Sequence, residues 1–327
     1  MHSYTLQGGG RMPALGLGTW KSAPGEVYAA VREALAVGYR HIDCAPAYQN
    51  EPEVGRALAE ALAAGPLSRA DLWLTSKLWN DAHGPDQVRL ALERTLHDLR
   101  TDYLDLFLIH WPVLFRPGVA FPRSGNDYLP LESIPLLDTW RAMEDCVAVG
   151  LTRYIGVCNF NIAKLDALCA QAAIQPAVQQ IELHPCLQQP AMLDFCQNRG
   201  ILLTAYSLLG SADRPAGMKK KDEPNLLSDP VITTIAAKKG ATPGQVLIAW
   251  ALARGTVAIP KTVRPERLRE NLAAADLRLD ASDLAAISEL DRGYRLVDGA
   301  FFTGGGSPYT LASLWDEEHR TGGQGLH

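Results

Sequence analysis

The sequence has no excess of positive charge and no long apolar run. Its 327 residues carry 31 Lys and Arg against 36 Asp and Glu, a formal net charge of −5. Because affinity for a phosphate backbone depends on surplus cations, this balance argues against a general nucleic-acid-binding protein. No stretch approaches the roughly 20 apolar residues that cross a bilayer, and residues 1–8 contain no signal-peptide core. We therefore expect no membrane association.

Cysteine and histidine spacing argues against two further kinds of site. The six cysteines form no Cys-x-x-Cys pair and no dense disulfide spacing, which favours reduced thiols in a cytoplasmic protein. The histidines show no His-x-x-x-His spacing, and no cysteine cluster completes a zinc site. No metal is therefore expected.

Several common catalytic motifs are also missing. There is no Gly-x-Ser-x-Gly turn of a serine hydrolase and no Tyr-x-x-x-Lys pair. Residues 16–21 begin like a dinucleotide fingerprint, but Lys21 stands where the third glycine belongs. A Rossmann site is therefore not expected.

Apolar runs typical of strands alternate about eight times with amphipathic segments typical of helices. Strands are predicted near 15–18, 39–43, 72–76, 104–109, 153–157, 177–181, 201–205 and 256–259. Helices are predicted near 25–37, 50–63, 86–99, 136–148, 161–172, 190–198 and 230–253. The short connections favour a parallel sheet, and no linker divides the chain. We expect one α/β domain over 1–327, a (β/α)8 TIM barrel, although the pattern cannot establish closure.

Four segments fall outside this alternation. Residues 3–6 and 11–13 suggest an N-terminal β-hairpin before the barrel. Long connections at 111–135 and 207–228 follow strand ends, so they are expected over the reactive face. The C-terminal tail, 294–327, is expected to be mobile at its end.

Four polar residues belong to three consecutive predicted strand–helix units, at or just after the strand ends. Asp43 ends one strand, and Tyr48 lies in the loop after it. Lys77 and His110 end the next two strands, on the face where barrels collect reactive residues. A neighbouring ammonium lowers the pKa of a phenol, so Lys77 could prepare Tyr48 to protonate a carbonyl oxygen. Each residue alone has an ordinary structural explanation, but four on one face indicate a site.

A basic cluster lies late in the chain. Lys261, Arg264 and Arg267 surround the end of the last predicted strand, and Pro265 suits the first turn of a following helix. Free amides and the helix dipole favour an anion there, and barrels of this kind often hold a phosphate beside their last strands. A solvated basic helix start is the alternative.

These residues belong to a set of motifs that resembles the aldo-keto reductases, most closely their aldehyde and aldose reductase branch. The matching runs are 16–21, 40–43, 75–80, 108–112, 156–160, 180–185, 205–207 and 259–261. The resemblance implies a (β/α)8 barrel that binds NADPH or NADP+ in extended form without a Rossmann domain. It also implies that Tyr48 is the general acid of a catalytic tetrad, Asp43, Tyr48, Lys77 and His110.

The same resemblance implies the residues that contact the cofactor. Asn159 and Gln180 would hold the nicotinamide carboxamide, and Tyr206 would stack on the ring. Lys21 and Asp213 would clasp a loop over the pyrophosphate. The full implied set is Gly18, Thr19, Trp20, Lys21, Asp43, Asn159, Gln180, Tyr206, Ser207, Leu209, Ser211, Asp213, Lys261, Thr262, Val263, Arg267, Glu270 and Asn271.

Preference for NADPH over NADH follows from the same set. The 2′-phosphate would lie against Lys261, Thr262 and Arg267, and charge-assisted hydrogen bonds are strong. Loop 207–228 also carries three lysines at 219–221, which we interpret as solvated.

The implied substrate pocket is an apolar cup with polar groups at one end, made of Trp20, Tyr48, Trp79, His110 and Trp111. Two positions depart from the family pattern. Cys158 stands beside Asn159 where a serine is usual, and Leu208 replaces a usual proline. The tail, which sets substrate choice in this family, diverges most.

We therefore expect a monomeric, NADPH-dependent reductase of small carbonyl compounds, with aldehydes, aldoses and ketones all open as substrates. Two rivals remain. A barrel aldolase would use a neutral Lys77 as a Schiff-base nucleophile. A cofactor-binding sensor or structural protein would share the fold but show little turnover.

Overall fold

The computed structural model describes residues 2–315, and its strands belong to a barrel and two small hairpins. In chain order the strands are β1 Ser3–Thr5, β2 Arg11–Pro13, β3 Leu17–Gly18, β4 His41–Asp43, β5 Trp73–Leu78, β6 Leu104–Ile109, β7 Leu114–Phe115, β8 Tyr128–Leu129, β9 Thr152–Cys158, β10 Val178–Glu182, β11 Leu202–Tyr206 and β12 Val257–Ala258. Eight of them lie side by side and parallel, in the order β3, β4, β5, β6, β9, β10, β11, β12.

Contacts between the first and last of these strands close the barrel. Leu15 pairs with Ala258, and Gly18 pairs with Lys261. A Cβ atom at Gly18 would lie 2.8 Å from the carbonyl oxygen of Ile259, so glycine is what permits this approach. The predicted (β/α)8 barrel is confirmed, and so is the closure that the sequence pattern could not establish.

The predicted N-terminal hairpin is present and covers the amino-terminal end of the barrel. β1 and β2 pair antiparallel around Gly8 and Gly9, whose φ angles are 90° and 89°. Met12 is fully buried in a cluster with Trp73 and Val178, the first residues of β5 and β10. The carboxyl ends of the strands are left for a site.

Helices surround the barrel, and their apolar faces form the main core with the strands. They are α1 Glu26–Val37, α2 Glu51–Ala63, α3 Pro85–Leu99, α4 Leu136–Ala148, α5 Ile162–Cys169, α6 Pro190–Arg199, α7 Pro230–Lys239, α8 Pro243–Ala253, α9 Pro265–Ala273, α10 Ala281–Ser288 and α11 Leu311–Trp315. In the described range, 2–315, none of them combines the length and the apolarity needed to span a membrane.

The single helix predicted over 230–253 is wrong, because two helices occupy that range. Gly240 ends α7 in the left-handed conformation, with φ of 62°. Thr242 then caps α8 through a reciprocal capping box with Gln245, and Pro243 begins the new helix. Strong stop and start signals thus interrupt a continuous helical pattern.

The long connections and the described part of the tail pack over the carboxyl end of the barrel. β7 and β8 form a hairpin inside the first connection, and both are held by the hydroxyl of Tyr309. Tyr309, Phe302 and Leu314 of the tail are buried with Trp111 in a separate apolar cluster. The expected mobile end of the tail falls at 316–327, outside the described residues.

Candidate active site

The four candidate catalytic residues meet at the carboxyl end of β4, β5 and β6. Lys77 donates hydrogen bonds to Asp43 Oδ1 at 2.5 Å, to the Cys44 carbonyl at 2.9 Å and to the Tyr48 hydroxyl at 3.3 Å. The His110 ring lies edge-on to the Tyr48 ring, with 5.8 Å between centroids. Because the phenol oxygen accepts from Lys77, its own proton is free to be donated elsewhere.

Lys77 itself is buried beneath the others and is charged. Burial alone would lower its pKa, but the Asp43 carboxylate, with smaller contributions from Tyr48 and Cys158, outweighs burial and raises the pKa above its usual value. Unlike the rest of the tetrad, Lys77 does not line the cleft above the barrel. A Schiff-base lysine has to be neutral and reachable, so both observations oppose the aldolase alternative.

Lys77 lowers the pKa of Tyr48 through its charge and its hydrogen bond, as expected, but the net shift of the pKa is upward. Burial raises the pKa of the phenol above its usual value, and this effect exceeds the lowering by the charge and hydrogen bond of Lys77. The cause is desolvation, which the sequence does not reveal. Tyr48 is therefore held in its protonated form, and Lys77 reduces the cost of ionising it.

His110 is neutral. Burial, followed by the positive charge of Lys77, holds its pKa well below the usual value. Its Nδ1 atom has no hydrogen-bond partner among residues 2–315. A neutral imidazole can donate one N–H to an oxygen, which suits the orientation of a carbonyl group.

Behind Lys77 lies a second buried carboxyl group that sequence reasoning missed. Glu51, the first residue of α2, accepts hydrogen bonds from Ser76 at 2.5 Å and Thr95 at 3.2 Å. Burial raises the pKa of Glu51 to about 7, despite the lowering by those two hydroxyls. The carboxyl group titrates near neutral pH without reaching the cleft.

The two amides predicted to hold the carboxamide, Asn159 and Gln180, form hydrogen bonds with the tetrad and with Tyr206. Gln180 donates to Asp43 Oδ2 at 2.7 Å, and Asn159 donates to the His110 carbonyl at 2.9 Å. The Tyr206 hydroxyl donates to the Asn159 amide oxygen at 2.7 Å. Each amide has further hydrogen-bonding positions, and both residues line the cleft. Their contact with a carboxamide stays a prediction.

A cleft of about 930 Å³ runs across this end of the barrel, from Trp79 and Trp111 past the tetrad to the start of α9. Apart from Lys77, all the predicted catalytic, cofactor and substrate-pocket residues line this cleft. They are Gly18, Thr19, Trp20, Lys21, Asp43, Tyr48, Trp79, His110, Trp111, Asn159, Gln180, Tyr206, Ser207, Leu209, Ser211, Asp213, Lys261, Thr262, Val263, Arg267, Glu270 and Asn271. Cys158 is buried outside the cleft, within the barrel core.

Backbone strain is concentrated at this cleft. Seven non-glycine residues of the described range have φ in the left-handed region. Four of them line the cleft, Lys21 and Asn159 at 62°, Ser207 at 54° and Ser211 at 45°. Such conformations cost energy and are typical of functional sites.

Positive charge is concentrated at the α9 end of the cleft. Lys261, Arg264 and Arg267 all line it, and Arg267 is paired with Glu270 at 2.6 Å. Lys21 Nζ lies 2.6 Å from Asp213 Oδ1, and Lys261 Nζ lies 3.6 Å from Asp213 Oδ2. The residues predicted to clasp the loop are therefore in contact across the cleft.

Sequence reasoning missed part of the lining. Met218 of the 207–228 connection borders the cleft, and so do Val297 and Phe301 of the tail. These residues come from segments without a local motif. The signal that could have found them is the position of both long segments over the barrel face.

Comparison with known proteins places these features in context. Residues 14–292 match the model of the aldo/keto reductase family. The chain is 56% identical to an aldo/keto reductase of Synechocystis sp. over 317 residues, covering 97% of each chain. It is 44% identical to human aldo-keto reductase family 1 member A1 over 294 residues, covering 89% of this chain and 90% of that one. It also resembles the structure of the aldose reductase from Schistosoma japonicum, with TM-score 0.85, 39% identity and coverage of 92% and 96%.

Proposed function

Because this chain belongs to the aldo/keto reductase family, we propose that it reduces aldehydes to alcohols with NADPH, aldoses and ketones being further candidate substrates. The observation that carries the proposal is the meeting of Tyr48, Lys77 and His110 at the floor of one cleft. We propose that the protein acts as a monomer built on a single barrel domain.

The residues of the cleft fit a dinucleotide with a 2′-phosphate. The basic residues at the start of α9 and the free amides of its first turn suit a phosphate. Gly244, on the opposite side, has no side chain to fill the space beside Glu270. Asn159 and Gln180 would hold the carboxamide, and Tyr206 would stack on the ring. When bound, the reduced nicotinamide supplies the hydride that the carbonyl carbon receives.

The chain's own residues manage the proton. His110, being neutral, donates to the carbonyl oxygen and orients it toward the Tyr48 hydroxyl. Tyr48 transfers its proton to that oxygen as negative charge develops on it. The resulting phenolate is stabilised by Lys77, whose charge is maintained by Asp43.

The test is Tyr48→Phe, measured by loss of absorbance at the reduced-nicotinamide band with a panel of aldehydes. We expect NADPH affinity to be retained and kcat to fall by about 10²–10⁴, the usual contribution of a general acid. The matched control is Tyr28→Phe, which removes a hydroxyl paired with Glu60 on the outer surface of α1. Near-normal turnover in the Tyr48 variant would refute the assigned acid. Binding without turnover in the wild type would favour the sensor alternative.

A further inference from the structure

Two long segments from distant parts of the chain meet at the rim of the cleft. The 207–228 connection lines it with Ser211, Asp213 and Met218. The tail lines it with Val297 and Phe301. Ser211 and Asp213 of the first segment border the half of the cleft assigned to the cofactor. Met218 packs with the Trp111 cluster, and the tail borders the half assigned to the substrate.

One ion pair joins these segments. The Lys220 ammonium lies 2.6 Å from Asp298 Oδ2 and 5.8 Å from the centre of the Tyr294 ring. Lys220 is the middle member of the three lysines interpreted from sequence as solvated. Its side chain is exposed, as that interpretation expects, but it also forms this ion pair. Lys219 and Lys221 are exposed, and neither forms an ion pair with any residue in 2–315.

On the loop side, Lys220 is fixed by a buried network. Its backbone N–H donates to Glu223 Oε1 at 2.7 Å. The same carboxylate oxygen forms an ion pair with the Arg214 guanidinium at 2.5 Å. Arg214 is buried and also donates to the carbonyls of Gly210 and Ser211, at 3.1 Å each. The network therefore reaches from Lys220 to the part of the loop that borders the cofactor half.

On the tail side, Asp298 organises the turn that carries Phe301. Its Oδ1 atom accepts the Ala300 N–H at 2.9 Å, and its carbonyl accepts the Trp315 indole N–H at 2.7 Å. The Phe301 ring packs edge-on against Trp111, with 5.7 Å between centroids. Movement of Asp298 would therefore displace the substrate wall of the cleft.

We propose that the Lys220–Asp298 ion pair is a positioning contact that couples the cofactor loop to the substrate wall of the cleft. Held together, the two segments keep the cofactor enclosed and the pocket formed. The inference rests on the proposed function, since it assigns the two halves of the cleft to cofactor and substrate. Because the pair joins the two segments, loosening it should affect both ligands.

The expected effect is modest, because Lys220 is 57% exposed and Asp298 is 17% exposed. Exposed ion pairs change an equilibrium by up to about fivefold. Charge reversal at Lys220 adds repulsion from Asp298, so we expect a three- to fivefold faster release of NADPH. We expect a comparable fall in kcat/KM for an aldehyde at saturating NADPH.

The experiment compares Lys220→Glu with Lys221→Glu, which makes the same change of net charge one residue away. Release of NADPH is followed by stopped-flow fluorescence, and kcat/KM is measured separately. Asp298→Asn removes the charge but keeps the oxygen that accepts the Ala300 N–H, so it should reproduce the loss without unfolding the turn. The double variant Lys220→Met with Asp298→Asn also keeps that oxygen, and it should lose no more in either parameter than Lys220→Met alone.

Two results would overturn the proposal. One is that Lys220→Glu and Lys221→Glu behave alike in both measurements. The other is that the losses caused by Lys220→Met and by Asp298→Asn add up in the double variant. Failure of the proposed function would look different, because the wild type itself would then fail to bind NADPH or fail to reduce an aldehyde.

Discussion

Replacement of Lys77 with methionine tests the electrostatics at the floor of the cleft. The side chains of Lys77 and Asp43 are 0% and 2% exposed, with 2.5 Å between Nζ and Oδ1. At an effective dielectric constant of about 20, Coulomb attraction over this distance is roughly 7 kcal/mol. Desolvation of both groups offsets part of it, so losing one partner should cost about 3–5 kcal/mol of unfolding free energy.

The same substitution should suppress catalysis for a separate reason. Both influences that lower the Tyr48 pKa, a nearby charge and a hydrogen bond, come from Lys77. Without them, burial and the nearby Asp43 charge both raise the pKa unopposed, and the phenol becomes a weaker acid. We expect kcat to fall by at least about 10², while NADPH affinity is retained because Lys77 does not line the cleft.

Urea unfolding and a double-mutant cycle with Asp43→Asn measure the first effect. The double variant carries neither charge, so it should be less destabilised than the sum of the single variants, by at least about 2 kcal/mol. Additive losses, or a cost below about 1 kcal/mol for Lys77→Met, would refute the reasoning. Circular dichroism of each variant serves as the control for folding.

Two further predictions concern Glu51 and Arg267. The folded pKa of Glu51, about 7, exceeds its unfolded value of 4.5, so this group favours folding at low pH and loses that contribution as pH rises through 7. From pH 5 to 8, Glu51→Gln should therefore gain about 2.5 kcal/mol of unfolding free energy relative to the wild type, and a constant difference in urea titrations would contradict this. Arg267→Met should weaken NADPH binding about tenfold and leave NADH binding unchanged, by fluorescence titration. Arg269→Met, whose side chain pairs with Glu33 instead of lining the cleft, is the control and should change neither.

The barrel could be predicted because its signals are local. Strand ends such as Asp43 follow short apolar runs, and helix starts such as Pro265 carry their own markers. The split between α7 and α8 was missed although Gly240 and Thr242 mark it, because apolar residues continue on both sides. Closure depends on contacts between residues over 240 positions apart, which no local pattern contains.

The candidate site was also predictable only where its signals are local. Its tetrad is recognisable because four reactive residue types lie at or just after consecutive strand ends. The direction of the Tyr48 pKa was not recognisable, because it depends on how much water the folded structure removes. Nor was the pairing of Lys220 with Asp298, since their contact spans 78 positions and neither belongs to a motif.

The first and last strands of the barrel are joined by two isolated bridges, Leu15–Ala258 and Gly18–Lys261, and not by a continuous ladder. Gly18 lies on the first-strand side of this junction, and Ile259 and Lys261 lie on the last-strand side. All three border the cleft. A molecule bound there contacts both strands at once and opposes their separation. Ligand binding would thus stabilise the barrel at this junction. We expect the junction to be the last part of the barrel to form and the part most protected by a bound ligand.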